Sequence, residues 1–327
     1  MNKFKLTTTR IHFEVELKDK YVFINGDSGR GKSLFISEIA GVIKSETNGK
    51  IESTLTYHLI DKENDLRFIP NIIKEDGPAI FISDEYLAHK LIKAVKGLHA
   101  YCIVVTRKTY KDINFSYRCL YKMVRCEEGV SYIKPSFNIQ YININVVDLI
   151  ITEDEKAGHE FLKEIFKNTN IKVIPAGGKN KLYKCIKQIN DYYNVLVLCD
   201  AGGIGTEIKD INREIERRKK LGIKITLVLP ECFEHTLLCS EFIGKDDDIF
   251  KYFKPEYDNT EAFCENWIYE LTKGTSLEYN HNNQNLSDCW VKDCTLCNSK
   301  CNISIEGNKI HSVLANGPCS GLEKFIT

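Results

Sequence analysis

Apolar residues recur along about the first 110 positions with the periods of strands and helices. Residues 9–17 alternate apolar and polar side chains, which predicts a half-buried strand, and residues 21–25 (YVFIN) form a short apolar strand. Buried strands are also predicted at residues 78–85 and 100–108, with a helix between them. Between YVFIN and the strand at residues 78–85, a further helix is predicted directly after the glycine-rich turn. The order of these elements predicts a mostly parallel α/β sheet. The apolar residues that would pack this further helix on the sheet are Leu34, Phe35, Ile39, Ala40, Val42 and Ile43.

The apolar pattern breaks at residues 131–141, where we expect a linker, and a second α/β series begins near residue 146. Its strands are predicted in the segments VVDLIITEDE, IKVIPAGGK, NVLVLCDAGG and IKITLVLPE, with helices between them. Beyond about residue 258 the chain becomes polar and contains a cysteine cluster. The pattern therefore predicts two α/β domains, at 1–135 and 145–257, and a small cysteine-rich C-terminal module at 258–327.

Composition limits the classes of function. The 327 residues include 43% hydrophobic residues, enough for two domain cores, and 45 basic and 45 acidic side chains. This balance gives no overall attraction to nucleic acid or membrane, although a local basic face could still bind either. Since the chain lacks an apolar signal segment and any run of about 18 apolar residues, we expect a cytoplasmic protein without a membrane partner. Its 13 cysteines then predict reduced thiols or metal ligands and no disulfide framework.

The segment GDSGRGKS, residues 26–33, matches the phosphate-binding pattern G-x-x-x-x-G-K-[ST]. Glycines let successive backbone N–H groups point at phosphate oxygens, and the helix that follows adds its positive end. Lys32 would neutralise the β and γ phosphates of ATP, and Ser33 would hold Mg²⁺. The alternative, a strand-to-helix turn without a ligand, does not explain Lys32 and Ser33 together. The predicted ATP-binding residues are Gly26, Asp27, Ser28, Gly29, Arg30, Gly31, Lys32, Ser33 and Leu34.

Two acids end the predicted strand IFISDE. Asp84 would orient a water molecule on Mg²⁺, and Glu85 would activate the water that attacks the γ-phosphate. The alternative is an acidic helix N-cap, because Asp and Glu favour the first turn of a helix. The next strand ends in Thr106, Arg107 and Lys108, near where a group that senses the γ-phosphate would lie.

This first region resembles the ABC-type P-loop ATPases. The resemblance rests on an initial antiparallel strand pair, the GDSGRGKS loop and the strand that ends in Asp84 and Glu85. It implies ATP binding and hydrolysis, with Lys32, Asp84 and Glu85 as catalytic residues and Mg²⁺ on Ser33 and Asp84. The sequence departs from the family in having no LSGGQ-like signature and a short interval between Lys32 and Asp84, which argues against ABC-style dimerisation.

Residues 146–244 resemble a TOPRIM domain, the metal-binding α/β unit of topoisomerases, primases and OLD-type nucleases. The resemblance implies that Glu153 is the family's strand-end Glu and Asp200 the first residue of its Asp-x-Asp motif. Both would hold Mg²⁺ for phosphodiester chemistry. Gly202 occupies the second Asp position, so Glu207 or Asp210 would have to substitute, or the site is inactive.

The acids of this second region also have simpler explanations. Acids collect at strand ends in any α/β sheet because polar loops and ligands lie there. The turn at Gly177–Lys179 could approach a phosphate backbone or be a plain tight turn. Glu231 and Glu234, near the end of the next strand, are a further candidate pair of metal ligands.

The C-terminal segment CWVKDCTLCNSKC contains closely spaced thiols. Four such thiols fit tetrahedral Zn²⁺, which would stabilise a segment too polar to form its own core. The spacing also fits a plant-type [2Fe–2S] centre, and free thiols are the remaining alternative. His281 and His311 are expected to be surface residues. The predicted zinc ligands are Cys289, Cys294, Cys297 and Cys301.

A P-loop ATPase joined to a TOPRIM-like domain resembles the layout of OLD-type nucleases and of bacterial anti-phage systems. Two functions are therefore open. In the first, ATP hydrolysis controls a TOPRIM-like, Mg²⁺-dependent module that acts on DNA or RNA. In the second, the chain is a nucleotide-binding regulatory or scaffold protein whose second domain binds a partner without catalysis. We also expect self-association or a protein partner, since a second subunit often completes a P-loop site.

Overall fold

The computed structural model describes residues 2–26, 31–108, 110, 112–126, 129–137, 147–167, 169–240, 243–244, 248–275, 278–279, 320–323 and 325. The chain divides into two compact units, and the first is discontinuous in sequence. It comprises residues 1–138 and 250–260, whereas the second comprises residues 139–249 and 261–327. The return of residues 250–260 to the first unit is not indicated by the hydrophobic pattern. The predicted cysteine-rich module lies mostly outside the described residues and stays a prediction.

The first unit is built on a nine-stranded sheet with the order β4-β1-β2-β9-β8-β3-β7-β6-β5. The strands from β8 to β5 are parallel to one another, and antiparallel pairs join β1 to β2 and to β4, and β8 to β9. The strands are β1 Lys3–Thr8, β2 Ile11–Glu16, β3 Tyr21–Asn25, β4 Gly49–Ser53, β5 Thr56–Ile60, β6 Ala79–Ser83, β7 Ala100–Thr106, β8 Leu120–Arg125 and β9 Ser131–Pro135. The helices are α1 Lys32–Ile43, α2 Ile69–Asp76 and α3 Ala88–Ala94, with short 3₁₀ helices at Glu63–Phe68, Tyr117–Cys119 and Ile249–Lys251.

The mixed α/β class and the buried strands agree with the hydrophobic pattern. Every residue of β6 and of β7 is buried, as expected for parallel strands covered on both faces. The packing face of α1 is narrower than predicted, since Phe35 and Ile39 are buried while Ile43 is 48% exposed. The linker expected at 131–141 was wrong at its start, because β9 pairs there with β8 and β2. In this short strand Ser131 is buried and Tyr132 is exposed, so the side chains show no alternation of apolar and polar positions that would have predicted it.

A buried lysine attaches residues 250–260 to the first unit. The Lys20 side chain is fully buried, and its Nζ donates to the carbonyl oxygens of Leu98 and Pro255 at 2.9 Å each. It also lies 3.5 Å from Asp258 Oδ1, which accepts the Gly97 N–H at 2.8 Å. Burial lowers the pKa of Lys20. These contacts satisfy the ammonium group, as a buried charge requires.

The second unit contains a four-stranded parallel sheet with the order β11-β10-β12-β13. Since β11 and β12 lie on opposite sides of β10, right-handed crossovers put α4 on one face and both α5 and α6 on the other. The strands are β10 Leu149–Thr152, β11 Lys172–Pro175, β12 Asn194–Leu198 and β13 Lys224–Val228. The helices are α4 Ala157–Ile165, α5 Lys179–Lys187, α6 Ile208–Lys220, α7 Phe233–Leu238, α8 Thr260–Thr272 and α9 Ser320–Glu323, with a 3₁₀ helix at Ile204–Thr206.

The helices of both units are short. The helices α6 and α8 have 13 residues each, whereas a helical membrane span needs about 20 apolar residues. Within the described residues, we find no helix with the length and apolar character that crossing a bilayer requires.

Candidate functional site

The predicted phosphate-binding motif lies where β3 meets α1. Asp27, Ser28, Gly29 and Arg30 lie outside the described residues, so their predicted ATP contacts stay predictions. Gly31 caps α1 with a φ of 98°, in the left-handed region that favours glycine. A Cβ atom at this position would lie 3.0 Å from both Met123 Sδ and Ser131 Oγ. Both the backbone and the neighbouring side chains therefore require glycine at the start of the helix.

The Lys32 side chain crosses the loop. It is half-buried, and its Nζ donates a hydrogen bond to the carbonyl oxygen of Gly26, at the other end of the motif. Ser33 is exposed in the first turn of α1. A twelve-residue helix therefore begins with a cation and a hydroxyl beside its positively polarised N-terminus.

A cavity of about 610 Å³ brings together three segments that are distant in sequence. Its volume lies within the range of about 300–1,000 Å³ that is usual for small-molecule sites. The parallel register explains the convergence, because Asn25 pairs with Thr106 and Ser83 pairs with Val104, so that β3, β7 and β6 end at one edge of the sheet. The lining residues are Gly31, Lys32, Ser33, Leu34, Ile36, Asp84, Glu85, Tyr86, Val105, Arg107 and Lys108.

The environment of Asp84 is compatible with both predicted roles, a cap for the following helix and a ligand for Mg²⁺. Its Oδ1 accepts the backbone N–H groups of Tyr86 at 3.0 Å and Leu87 at 3.2 Å, so it caps the turn that leads into α3. The residue is nevertheless exposed and lines the cavity. A carboxylate has two oxygens, so capping through Oδ1 is compatible with an oxygen ligand for Mg²⁺.

Glu85 forms an ion pair with Arg107 inside the same cavity. Arg107 Nε lies 2.9 Å from Glu85 Oε2, and the two side chains are 60% and 25% exposed. An ion pair with this exposure contributes about 0–1 kcal/mol to stability, so its partners exchange easily. Glu85 and Arg107 are therefore close enough to act together.

The three residues at the end of β7 have different environments. Arg107 and Lys108 line the cavity, as the sequence suggested. The Thr106 side chain is instead buried: its Oγ1 accepts the Lys108 N–H at 2.9 Å and lies 3.2 Å from the Tyr110 hydroxyl. Thr106 therefore shapes the strand end, while the two cations face the cavity.

In the second unit, the structure brings Glu153 and Asp200 together. They follow the adjacent parallel strands β10 and β12, and the Asp200 N–H donates to Glu153 Oε2 at 3.0 Å. Burial raises the pKa of Glu153 to about 7, while the Asp200 N–H and the charge of Lys179 act in the opposite direction. Burial, followed by the charges of Glu153, Glu261 and Glu234, raises the pKa of Asp200 well above its usual range.

The acids suggested as replacements for the missing second Asp make local contacts. Thr206 donates its hydroxyl to Glu207, and Asp210 Oδ1 accepts from Arg213 at 2.7 Å. The charges that act on Asp200 include instead those of Glu234 on α7 and Glu261 on α8. Sequence reasoning noted Glu234 but missed Glu261. Because α6, β13 and α7 lie between Asp200 and α8 along the chain, no local motif could have indicated that proximity.

The structure describes some of the predicted metal ligands and not others. Ser33 and Asp84 line the cavity of the first unit. Among the described residues, no group of three or more His, Cys, Asp or Glu side chains is arranged to hold a metal ion. The zinc prediction falls on residues outside those that the structure describes and stays a prediction. Those residues are Cys289, Cys294, Cys297 and Cys301. His281 and His311, which are expected to be surface residues, also lie outside the described residues.

Each unit therefore has one candidate site: the cavity that contains Lys32 in the first unit, and the acid pair Glu153 and Asp200 in the second. Comparison of the chain with protein-family models, curated proteins and solved structures found no match.

Proposed function

We propose that the first unit binds ATP with Mg²⁺ in the cavity at the end of β3 and hydrolyses it. One observation carries the proposal: a single cavity of about 610 Å³ is lined by Lys32 and Ser33, by Asp84 and Glu85, and by Arg107. Phosphoryl transfer needs cations for the phosphates, oxygen ligands for Mg²⁺ and a group that orients the attacking water. The cavity contains all three kinds of group, and its lining comes from three segments of the chain: residues 31–36, 84–86 and 105–108.

Each lining residue has a distinct role in the proposed reaction. Lys32 binds the β and γ phosphates, and the N–H groups that begin α1 add hydrogen-bond donors. The exposed Ser33 hydroxyl and the Asp84 carboxylate suit Mg²⁺, which prefers oxygen ligands and retains several water molecules. When bound, Mg²⁺ would neutralise charge on the phosphates. Glu85 accepts a proton from the attacking water.

Arg107 links phosphate binding to the release of this base. A γ-phosphate in the cavity attracts Arg107 more strongly than a single, partly exposed carboxylate does. Transfer of the guanidinium from Glu85 to the phosphate frees Glu85 to act on water. Arg107 then also stabilises charge on the transferred group.

Nucleotide binding is tested with wild-type protein and Lys32→Ala, titrated with a fluorescent ATP analogue in Mg²⁺. Wild type should bind, and Lys32→Ala should bind at least about tenfold more weakly because a charged phosphate contact is lost. An exposed lysine of the same unit supplies the control, Lys74→Ala. Absence of binding by wild-type protein would reject the proposal.

For the second unit, we propose Mg²⁺-dependent cleavage of nucleic acid at Glu153 and Asp200. The supporting observation is the hydrogen bond that joins these two strand-end residues. Two carboxylates are a suitable donor set, because Mg²⁺ commonly takes one or two from the protein and the rest from water and substrate phosphate. The nucleotide state of the first unit would then control this cleavage. Gly202 supports the alternative of a regulatory or scaffold protein without catalysis there.

A nicking assay separates these alternatives. Supercoiled DNA and folded RNA are incubated with wild type, Lys32→Ala and Glu153→Ala in Mg²⁺ or Mn²⁺. Cleavage that disappears in Glu153→Ala, but persists in the α4 surface variant Lys163→Ala, supports the nuclease. ATP hydrolysis without cleavage in either metal contradicts the nuclease and favours the regulatory alternative.

A further inference from the structure

The helices α5 and α6 carry a concentration of positive charge. Their contact places them side by side on one face of the second sheet. Their exposed acidic residues are Asp210 and Glu216, whereas the whole chain has equal numbers of basic and acidic residues. We call the exposed basic residues of the two helices the α5–α6 face. They are Lys181, Lys184, Lys187, Lys209, Arg213, Arg217, Lys219 and Lys220.

A buried arginine holds the two helices in a fixed arrangement. Arg218 Nε, on α6, donates to Glu214 Oε1 at 3.0 Å. Its Nη1 donates to the Ile189 carbonyl oxygen at 2.6 Å and to Asn190 Oδ1 at 3.1 Å, just beyond the end of α5. Both Arg218 and Glu214 are buried. The exposed cations of α5 and α6 therefore lie on a shared, rigid support.

The cations of α6 form a regular row. Lys209, Arg213, Arg217 and Lys220 are spaced by four, four and three residues, which places them on one side of the helix. At 1.5 Å per residue the row repeats about every 6 Å. Favourable interactions with the helix dipole account for basic residues in the last turn. An ion pair with Asp210 at 2.7 Å accounts for Arg213, whereas neither effect accounts for Lys209. The row is therefore more extensive than helix capping requires.

The start of α5 lies beside the acid pair of this unit. The Gly178 N–H donates to the Glu153 carbonyl oxygen at 2.7 Å, and Lys179 Nζ donates to the Gly203 carbonyl oxygen at 3.0 Å. A polyanion that follows α5 towards its N-terminus would thus reach Glu153 and Asp200. The basic surface and the acid pair are continuous parts of one unit.

We propose that the α5–α6 face binds the phosphate backbone of a nucleic acid. Lysine and arginine rows bind such backbones by displacing their counterions, without reading the base sequence. An anionic membrane is less suitable, because interfacial helices also insert large apolar side chains. No residue within α5 or α6, whose residues are all described, is an exposed large hydrophobic residue. Leu221, which caps the end of α6, is 63% exposed but supplies a single apolar side chain. This inference rests on the proposed nucleic-acid role of the second unit and is independent of ATP hydrolysis.

The test measures binding of short fluorescein-labelled single-stranded and duplex oligonucleotides by anisotropy, without nucleotide. The test variant combines Lys184→Glu with Lys220→Glu. The control combines Lys163→Glu, on α4, with Lys167→Glu, just beyond the end of α4. Both lysines are exposed, and α4 covers the opposite face of the same sheet. Both variants change the net charge equally, and circular dichroism checks that both fold. A milder pair, Lys184→Gln with Lys220→Gln, removes the two charges without reversing them.

We expect the test variant to bind about tenfold or more weakly than wild type, and the control to stay within about threefold. The milder pair should be intermediate. The slope of log K against log salt should become shallower by about 1.4 to 1.8 in the milder pair, which loses two phosphate contacts. Equal weakening by test and control variants would overturn the assignment to this face. Binding of wild type to phosphatidylserine vesicles but to neither oligonucleotide would overturn the choice of nucleic acid. ATPase activity, measured separately, distinguishes either failure from failure of the proposed hydrolysis.

Discussion

At the scale of single residues, the proposed hydrolysis depends on Glu85 and Arg107. Their ion pair of 2.9 Å places a base and a cation in the same cavity as Lys32. The pair is exposed enough to separate at little cost when a phosphate competes for the guanidinium. The same two side chains can therefore act as an ion pair or as separate catalytic groups.

We predict that Arg107→Ala lowers kcat for ATP hydrolysis by about 100-fold or more, because a charge that stabilises the transferred phosphoryl group is lost. Affinity for ADP should change by less than about threefold, since Arg107 acts on the γ-phosphate. Phosphate release and ADP titration measure the two quantities. Added guanidinium ion should partly restore activity, which a purely structural defect would not allow. The exposed arginine variant Arg67→Ala is the control, and a kcat unchanged in Arg107→Ala would contradict the role.

The backbone conformation and close packing of Gly31 lead to a second prediction at this scale. Gly31→Ala should lower the free energy of unfolding by about 1–3 kcal/mol, because it combines a positive φ with close contacts to Met123 and Ser131. Gly97→Ala is a matched control: its φ is 68°, but a Cβ atom there meets nothing within 4 Å. Urea unfolding should show the larger loss for Gly31→Ala. Equal losses in the two variants would mean that the contacts around Gly31 are unimportant.

At the scale of elements, Lys20 attaches a distant segment to the first sheet. Lys20→Met should lower the free energy of unfolding by about 2–4 kcal/mol, because the partly buried Leu98 carbonyl and the buried Pro255 carbonyl lose their donor. Hydrogen exchange should also become faster in residues 250–260. The exposed Lys3, on β1, supplies the control, Lys3→Met, which should change stability by less than about 0.5 kcal/mol. Unaltered exchange in Lys20→Met would contradict the proposed attachment.

A partly buried carboxyl group on α8, that of Glu265, should make the stability of the protein depend on pH. Burial, with the charges of Glu234 and Glu261, raises the pKa of Glu265 from 4.5 to about 8. Between these values the unfolded chain loses this proton while the folded chain keeps it, so the wild type loses stability as pH rises. Glu265→Gln removes this loss, and its Tm relative to wild type should increase from pH 4.5 to about 8. The exposed Glu270 on the same helix supplies the control, Glu270→Gln. A Tm difference that is constant with pH would contradict the prediction.

At the scale of the whole molecule, the sequence predicted the elements that carry a local signal. The strands before Asp84 and Arg107 are mainly apolar, so their ends could be located and expected to meet at one edge of a parallel sheet. The convergence of Lys32, Asp84 and Glu85 on one cavity follows from that signal.

Features created by contacts between distant segments could not be predicted in this way. Strand β9 buries Ser131, exposes Tyr132 and forms through pairing with β2 and β8, so its residues resembled a linker. The approach of Glu261 to Asp200 depends on where α8 packs, which no periodicity encodes. The Glu85–Arg107 pair likewise requires the register of β6 with β7. In each case the tertiary arrangement, and not the local sequence, determines the contact.

The most direct test of the central claim compares ATP binding and phosphate release for wild type, Lys32→Ala and Glu85→Gln in Mg²⁺. Glu85→Gln should bind ATP within about threefold of wild type but hydrolyse it at least about 100-fold more slowly, because it keeps the phosphate contacts and loses the base. Lys32→Ala should lose both binding and hydrolysis. Wild-type protein that binds no ATP, or a Glu85→Gln variant that hydrolyses ATP at the wild-type rate, would contradict the account.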